Sequence, residues 1–201
     1  MSRAAEDFPR VEVQSRAELR AWLSDHHAES QSIWLVTYKK VTGDRYLPYD
    51  AIVEEALAFG WVDSVPRELD ATRSMRLLSP RKPGSAWSKV NKARVEKLIA
   101  GNLIDAAGLS VVEAAKADGS WGRLDAVEAL IVPPDLEAAL LVYPPAAANF
   151  AAFPRSSKRL ILEWIQNAKG EGTRAKRIDE TASKAAINER ANHYRQVQRK
   201  T

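Results

Sequence analysis

The sequence predicts an α+β fold: a small mixed or antiparallel sheet with helices in the N-terminal part, then an all-helical C-terminal part. Three observations predict it. The run Ile33-Trp34-Leu35-Val36-Thr37-Tyr38 is β-branched and aromatic, the pattern of a buried strand. Trp61 to Leu69 and Ser74 to Leu78 read as two more strands around Asp70-Ala71-Thr72-Arg73, which suits a hairpin turn. Beyond Gly101 the apolar residues recur at helical spacing between Asp118-Gly119, Pro133-Pro134, Pro144-Pro145, Phe153-Pro154 and Gly170-Glu171-Gly172, all turn or breaker signals.

Taken in order, Ser15-Arg16-Ala17-Glu18 is a capping box. The helix it opens runs to about His27, with Leu19, Trp22 and Leu23 on one face. Val41-Thr42-Gly43-Asp44 turns after the strand. Asp50 is expected to cap a helix over residues 51–59, with Ile52, Val53, Ala56 and Leu57 inward and Glu54 and Glu55 on the other side. Gly60 stands where a helix usually ends. Pro80-Arg81-Lys82-Pro83-Gly84 excludes helix and central strand, and Ser88 is an N-cap for a helix ending before Gly101. Helices are expected near 103–117, 122–130, 135–142, 146–152, 156–169 and 173–195. In the fifth of these, Leu160, Ile161, Trp164, Ile165 and Ala168 form one stripe, away from Lys158, Arg159 and Glu163. Ile178, Ala182 and Ala185 share a face of the last. Paired prolines suggest two parts, residues 1–133 (α+β) and 134–201 (helical).

The 201 residues are 45% hydrophobic and 28% charged, a globular balance. No cysteine is present, which excludes disulfides and thiolate metal or redox sites. The first residues lack the apolar core of a secretory signal, and no window approaches the ~20 apolar residues of a membrane span, so the expectation is a cytoplasmic protein. HExxH, calcium-loop, GxGxxG and GxxxxGK[ST] patterns are absent, so no metal or cofactor is expected. Net charge is +4, unevenly spread: +7 over residues 155–201 and +6 over residues 67–97. These concentrations point either to anionic partners or to solvated helix faces.

Candidate chemistry gathers between Tyr49 and Lys92. Asp63, just past Gly60-Trp61, is placed to act as a general acid or base or to orient a cation; the competing reading is an ion pair to a hairpin arginine such as Arg67 or Arg73. Ser64 needs an activating base to serve as a nucleophile. The histidines are His26, His27 and His193; the first two close a helix, where cations favour the dipole, and the third lies in a polar helix. A Ser-His-Asp mechanism is therefore disfavoured. Arg81, Lys82, Ser85, Trp87, Ser88, Lys89, Asn91 and Lys92 surround a helix start, whose free N–H groups suit an anion. The alternative is that Trp87 plugs the core and Ser88 only caps. Cations at both ends of the helix before Gly170 admit nucleic acid or an acidic protein.

Several blocks carry a resemblance: Tyr49-Asp50 with Val53 to Ser64, Pro80 to Lys92, Ala115 to Trp121, and Trp164 to Lys169 through Thr173-Arg174. Together they resemble the YdeI/OmpD-associated, or bacteriocin-protection, family over about residues 15–195. That resemblance implies a link to envelope stress, to tolerance of antimicrobial peptides or bacteriocins, and to an outer-membrane porin partner; it brings no catalytic residues to transfer.

Three functions fit these residues. The favoured one is a non-enzymatic protein that binds an anionic small molecule or partner, with Tyr49, Trp61, Asp63, Ser64, Arg73, Arg81, Trp87, Ser88 and Asn91 as its site. The second is a nucleic-acid module using both basic stretches. The third is a small enzyme with Asp63 as acid or base, assisted by Tyr49 or Ser64. The first expects the Asp63 corner and the Arg81–Trp87 bend to meet around a shared hollow.

Overall fold

Ser15 opens the first helix of a computed structural model that describes residues 8–192. Its Oγ accepts from the Glu18 amide at 3.2 Å at the head of α1 (Arg16–His26). The Glu18 carboxylate reaches back to the Gln14 amide at 2.9 Å, one residue beyond its partner in a simple capping box. Contacts divide the chain into two units, residues 1–123 and 124–201.

The N-terminal unit holds a four-stranded sheet in the order β1-β2-β4-β3. β1 (Arg10–Glu12) runs parallel to β2 (Ile33–Tyr38), and β4 (Arg73–Pro80) runs antiparallel to both β2 and β3 (Trp61–Glu68). Every residue of β2 is buried, as its unbroken apolar run requires. Ile33 and Leu35 join the helix-covered core, while Trp34 and Val36 form a second cluster with Met75. The Arg67 guanidinium lies 4.6 Å from the Trp34 ring centre, so this hairpin arginine is taken up by an indole. Asp70 tightens the hairpin by accepting from the Thr72 and Arg73 amides at 2.8 and 2.7 Å, an Asx turn.

Two expectations about α2 (Tyr49–Ala58) are corrected. Pro48, not Asp50, occupies the N-cap; Asp50 sits in the first turn with its carboxylate 2.5 Å from Arg94, so it is spent on an ion pair. Glu54 and Glu55 do not face solvent: Glu55 is 1% exposed. Arg16 meets Glu55 at 2.6 Å and Glu54 at 2.9 Å, Arg20 meets Glu55 at 2.9 Å, and Lys97 meets Glu54 at 2.9 Å. Cations from α1 and α3 (Lys89–Ala100) thus clamp α2 from two sides. Buried carboxylates survive only with such matching partners.

Close backbone approach fixes the far end of α2. Gly60 has φ +77°, and a Cβ there would stand 2.8 Å from Val111 Cγ2. Facing it is α4 (Ala106–Ala117), capped by Asp105. A Cβ on Gly108 of α4 would lie 2.2 Å from the Ala58 carbonyl oxygen. Trp61 and Trp87 belong to the core of this unit.

The C-terminal unit is helical: α5 (Asp125–Glu128), α6 (Pro134–Val142), α7 (Ala146–Ala152), α8 (Arg155–Gln166) and α9 (Glu171–Ala186). The unit begins upstream of Pro133-Pro134 because α5 is tied to α8. Arg159 pairs with Glu128 at 3.1 Å, and Arg155 donates to the Glu128 carbonyl at 2.7 Å. α8 buries Ile161, Leu162 and Ile165. Leu160, expected in that stripe, is 53% exposed, because the inward face is centred one position further along. Ile178, Ala182 and Ala185 of α9 are buried as their spacing predicts. His193 lies outside the described residues. Among the described residues, no helix is long and apolar enough to cross a membrane.

Candidate functional site

The start of α2 and the middle of β4 converge on one hollow in the N-terminal unit. Asp63 and Leu78 are paired across β3 and β4, which turns the Asp63 side chain to the helix-covered face. There Oδ2 accepts from the Tyr49 hydroxyl at 3.1 Å and from Arg76 Nη1 at 3.0 Å. Arg76 Nη1 also donates to the Ser64 carbonyl at 3.3 Å. Its guanidinium lies 4.5 Å from the Tyr49 ring centre, and Arg94 lies 5.8 Å from the same ring. Desolvation, then the Asp63 carboxylate, raises the Tyr49 pKa, so the phenol stays protonated and donates.

Beside this cluster is a hollow of about 270 Å³. Tyr38, Leu47, Ile52 and Met75 are buried hydrophobic residues of its lining, and Tyr46 and Tyr49 are 39% and 45% exposed. Lys39, Lys40 and Arg76 bring three cations to the lining, and no Asp or Glu among the described residues lines it. Lys39 is engaged by Glu68 at 2.6 Å and the Asp70 carbonyl. Lys40 is exposed, and only Nη1 of Arg76 makes protein hydrogen bonds among the described residues. The lining therefore presents spare donors in a positive field.

A separate hollow of about 70 Å³ lies at the other end of β4, lined by Arg81, Lys82, Gly84, Ser85, Trp87, Asp118 and Ser120 among others. Arg81 stacks 3.6 Å from the centre of the Trp87 ring and donates through Nη2 to the Ala86 carbonyl at 2.5 Å. Its Nε is buried without a partner. Burial pulls the guanidinium pKa down to about 10. Trp87 is 1% exposed, 4.9 Å from Trp121 between ring centres.

The two hollows have no lining residue in common, which corrects the expected shared hollow. Indoles are the reason: Trp61 and Trp87 fill the interior. Trp61 is fully buried, edge-on to Trp22, with Nε1 donating to the His27 carbonyl at 3.1 Å. Arg73 is remote from Arg81, because eight strand residues at ~3.3 Å each separate them by about 26 Å. It is also held by Glu12 and Asp70, each at 2.8 Å. Ser64 is exposed, its Oγ 3.5 Å from the Leu77 carbonyl. Ser88 caps α3 by accepting from the Asn91 amide, and the Asn91 carbonyl oxygen accepts from Arg94. The ion pair expected for Asp63 forms with Arg76, not with Arg67 or Arg73.

Sequence reasoning missed Arg76, Lys39, Lys40 and Tyr46. The available signal was Arg76 itself, a charge set between Met75 and Leu77 inside a strand, where an inward cation needs a partner. Part of the basic concentrations is absorbed internally: Arg94 by Asp50, Lys97 by Glu54, Arg159 by Glu128 and Glu163, Arg174 by Asp135, and Lys184 by Glu180.

Comparison with known proteins adds two matches. Residues 11–111 match a family described as a domain of unknown function (DUF8412), and residues 129–188 match the family described as bacteriocin-protection, YdeI or OmpD-associated. No curated protein and no solved structure matches the chain.

Proposed function

The chain belongs to the DUF8412 family and carries a bacteriocin-protection, YdeI or OmpD-associated domain, and for such a protein we propose a binding role: it holds a small anionic, ring-bearing ligand in the Tyr49–Arg76 hollow. The observation that carries this reading is the lining itself, three cations and no carboxylate among the described residues. Exposed Tyr46 and Tyr49 supply flat faces for a ring. Leu47 and Ile52 supply the apolar contact typical of ligand pockets, and about 270 Å³ sits just below the usual ~300–1,000 Å³ range. Asp63 is a positioning residue. It holds the Tyr49 hydroxyl and one arm of Arg76, and the other guanidinium nitrogens are left for a carboxylate or phosphate.

Catalysis is the weaker reading, because Asp63 is absorbed by this pair and is not among the lining residues. Nucleic-acid binding is weakened by the internal pairing of part of these cations. The biological setting we propose is the one that the second family's description names, protection against bacteriocins.

Thermal unfolding with a panel of ring compounds bearing carboxylate or phosphate, each matched to its neutral analogue, tests the binding role. The expected outcome is stabilisation by anionic members alone, abolished in Arg76→Met. Equal stabilisation by the neutral analogues, or an undiminished response in Arg76→Met, contradicts it.

A further inference from the structure

Arg81 presents a different problem from Arg76: it is half-buried, with its Nε sealed away and no carboxylate to balance it among the described residues. Among the described residues it contacts the Ser85 and Ala86 carbonyls and the Trp87 ring, and no carboxylate pairs with it. Nε is sealed from solvent with no acceptor. A half-buried cation without a counter-charge carries part of the cost of a buried one, and a buried N–H without an acceptor adds to that cost. Stacking on an indole offsets only part of it.

The neighbouring hollow supplies what is missing. Its volume of about 70 Å³ exceeds the ~10–15 Å³ that a single water needs and gives room for an oxyanion head. Lys82, Ser85 and Ser120 also line it. Asp118 is there too, but its charge is already satisfied. Ser120, then the Gly84 amide and Arg123, lower its pKa; Arg81 is not among the groups that do so.

We propose that the Arg81 hollow is a second, independent anion site, which takes a single carboxylate, sulfate or phosphate group against the indole-stacked guanidinium. The site is far smaller than the Tyr49 hollow and shares no lining residue with it, so it suits the head of a ligand or a free oxyanion. Occupancy would supply the absent counter-charge and would raise the thermal midpoint of the protein.

Sodium phosphate, sulfate and acetate titrated into the full chain, at ionic strength held constant with chloride, test this. At a 100-fold excess over Kd, the midpoint should rise by about 5 °C or more and then saturate, with a saturable change in tryptophan emission as Trp87 senses the anion. Whether phosphate or acetate saturates first distinguishes a phosphoryl source from a carboxylate source. Arg81→Met, which keeps the contact with Trp87, should lose both signals. Should that variant not fold, Ala114→Phe fills the lining from an exposed position of α4 and should lose them while Arg81 stays. An unsaturating rise shared by these variants marks an adventitious salt effect and overturns the site, as does full binding in Ala114→Phe. Arg76→Met should keep the phosphate response, so failure of the Tyr49 hollow and failure of this site are read separately.

Discussion

In the middle of α2 every buried carboxylate is matched; beside its first turn the cations are matched only in part. Glu54 and Glu55 meet Arg16, Arg20 and Lys97, cations drawn from two other helices. The hollow next to Tyr49 has Lys39, Lys40 and Arg76 on its lining and no carboxylate there among the described residues. A matched network fixes how helices sit, because each buried charge tolerates only one arrangement of partners. A cluster matched only in part, by Glu68 and Asp63 from outside the lining, leaves a field that a ligand can use. The same helix thus carries a structural set of carboxylates and, one turn away, borders a recognition set of cations supplied by β4 and the chain after β2.

The comparison breaks first if the clamp is not structural. Glu55→Ala removes a carboxylate that is 1% exposed. It should cost about 3 kcal/mol, moderated because Arg16 and Arg20 regain water, and urea unfolding reads the loss. A cost under about 1 kcal/mol would remove the clamp from the account. Gly108→Ala drives a methyl into the Ala58 carbonyl and should cost about 2–3 kcal/mol as overpacking, with a tertiary signal lost at lower urea.

Acid sharpens the same contrast. The Lys97 hydrogen bond, with Arg16 behind it, holds the Glu54 pKa below its ordinary value of 4.5. A carboxyl with a lowered folded pKa stabilises above its unfolded value and loses that stabilisation as pH falls through the folded one. The urea midpoint should therefore drop below about pH 4.5, and Glu54→Gln should flatten that slope. The smallest effect belongs to the recognition set: Lys40→Gln should leave stability unchanged and weaken anionic ligands by about threefold at low salt, less at high salt.

Much of the fold is legible in the chain because it rests on local chemistry. Ser15, Ser88 and Gly60 do what cap positions do, and β2 reads as a buried run. What stays hidden depends on partners far along the chain. Glu54 and Glu55 look like a solvent face until Arg16 and Lys97 arrive from other helices. Gly108 has no local turn signal; its reason is the Ala58 carbonyl. At the site, Asp63 and Tyr49 are readable as an acid and a phenol near one junction. Arg76 emerges only from strand register, and Trp61 and Trp87 look like ligand platforms until the core claims them.

The most direct test is a titration followed by amide chemical shifts, with phenyl phosphate against phenol. Saturable shifts are expected at Thr37, Tyr46, Tyr49 and Ser74 with phenyl phosphate, with little response to phenol, and Arg76→Met should lose the phenyl phosphate shifts. Equal shifts with phenol, or shifts scattered away from that hollow, would contradict it.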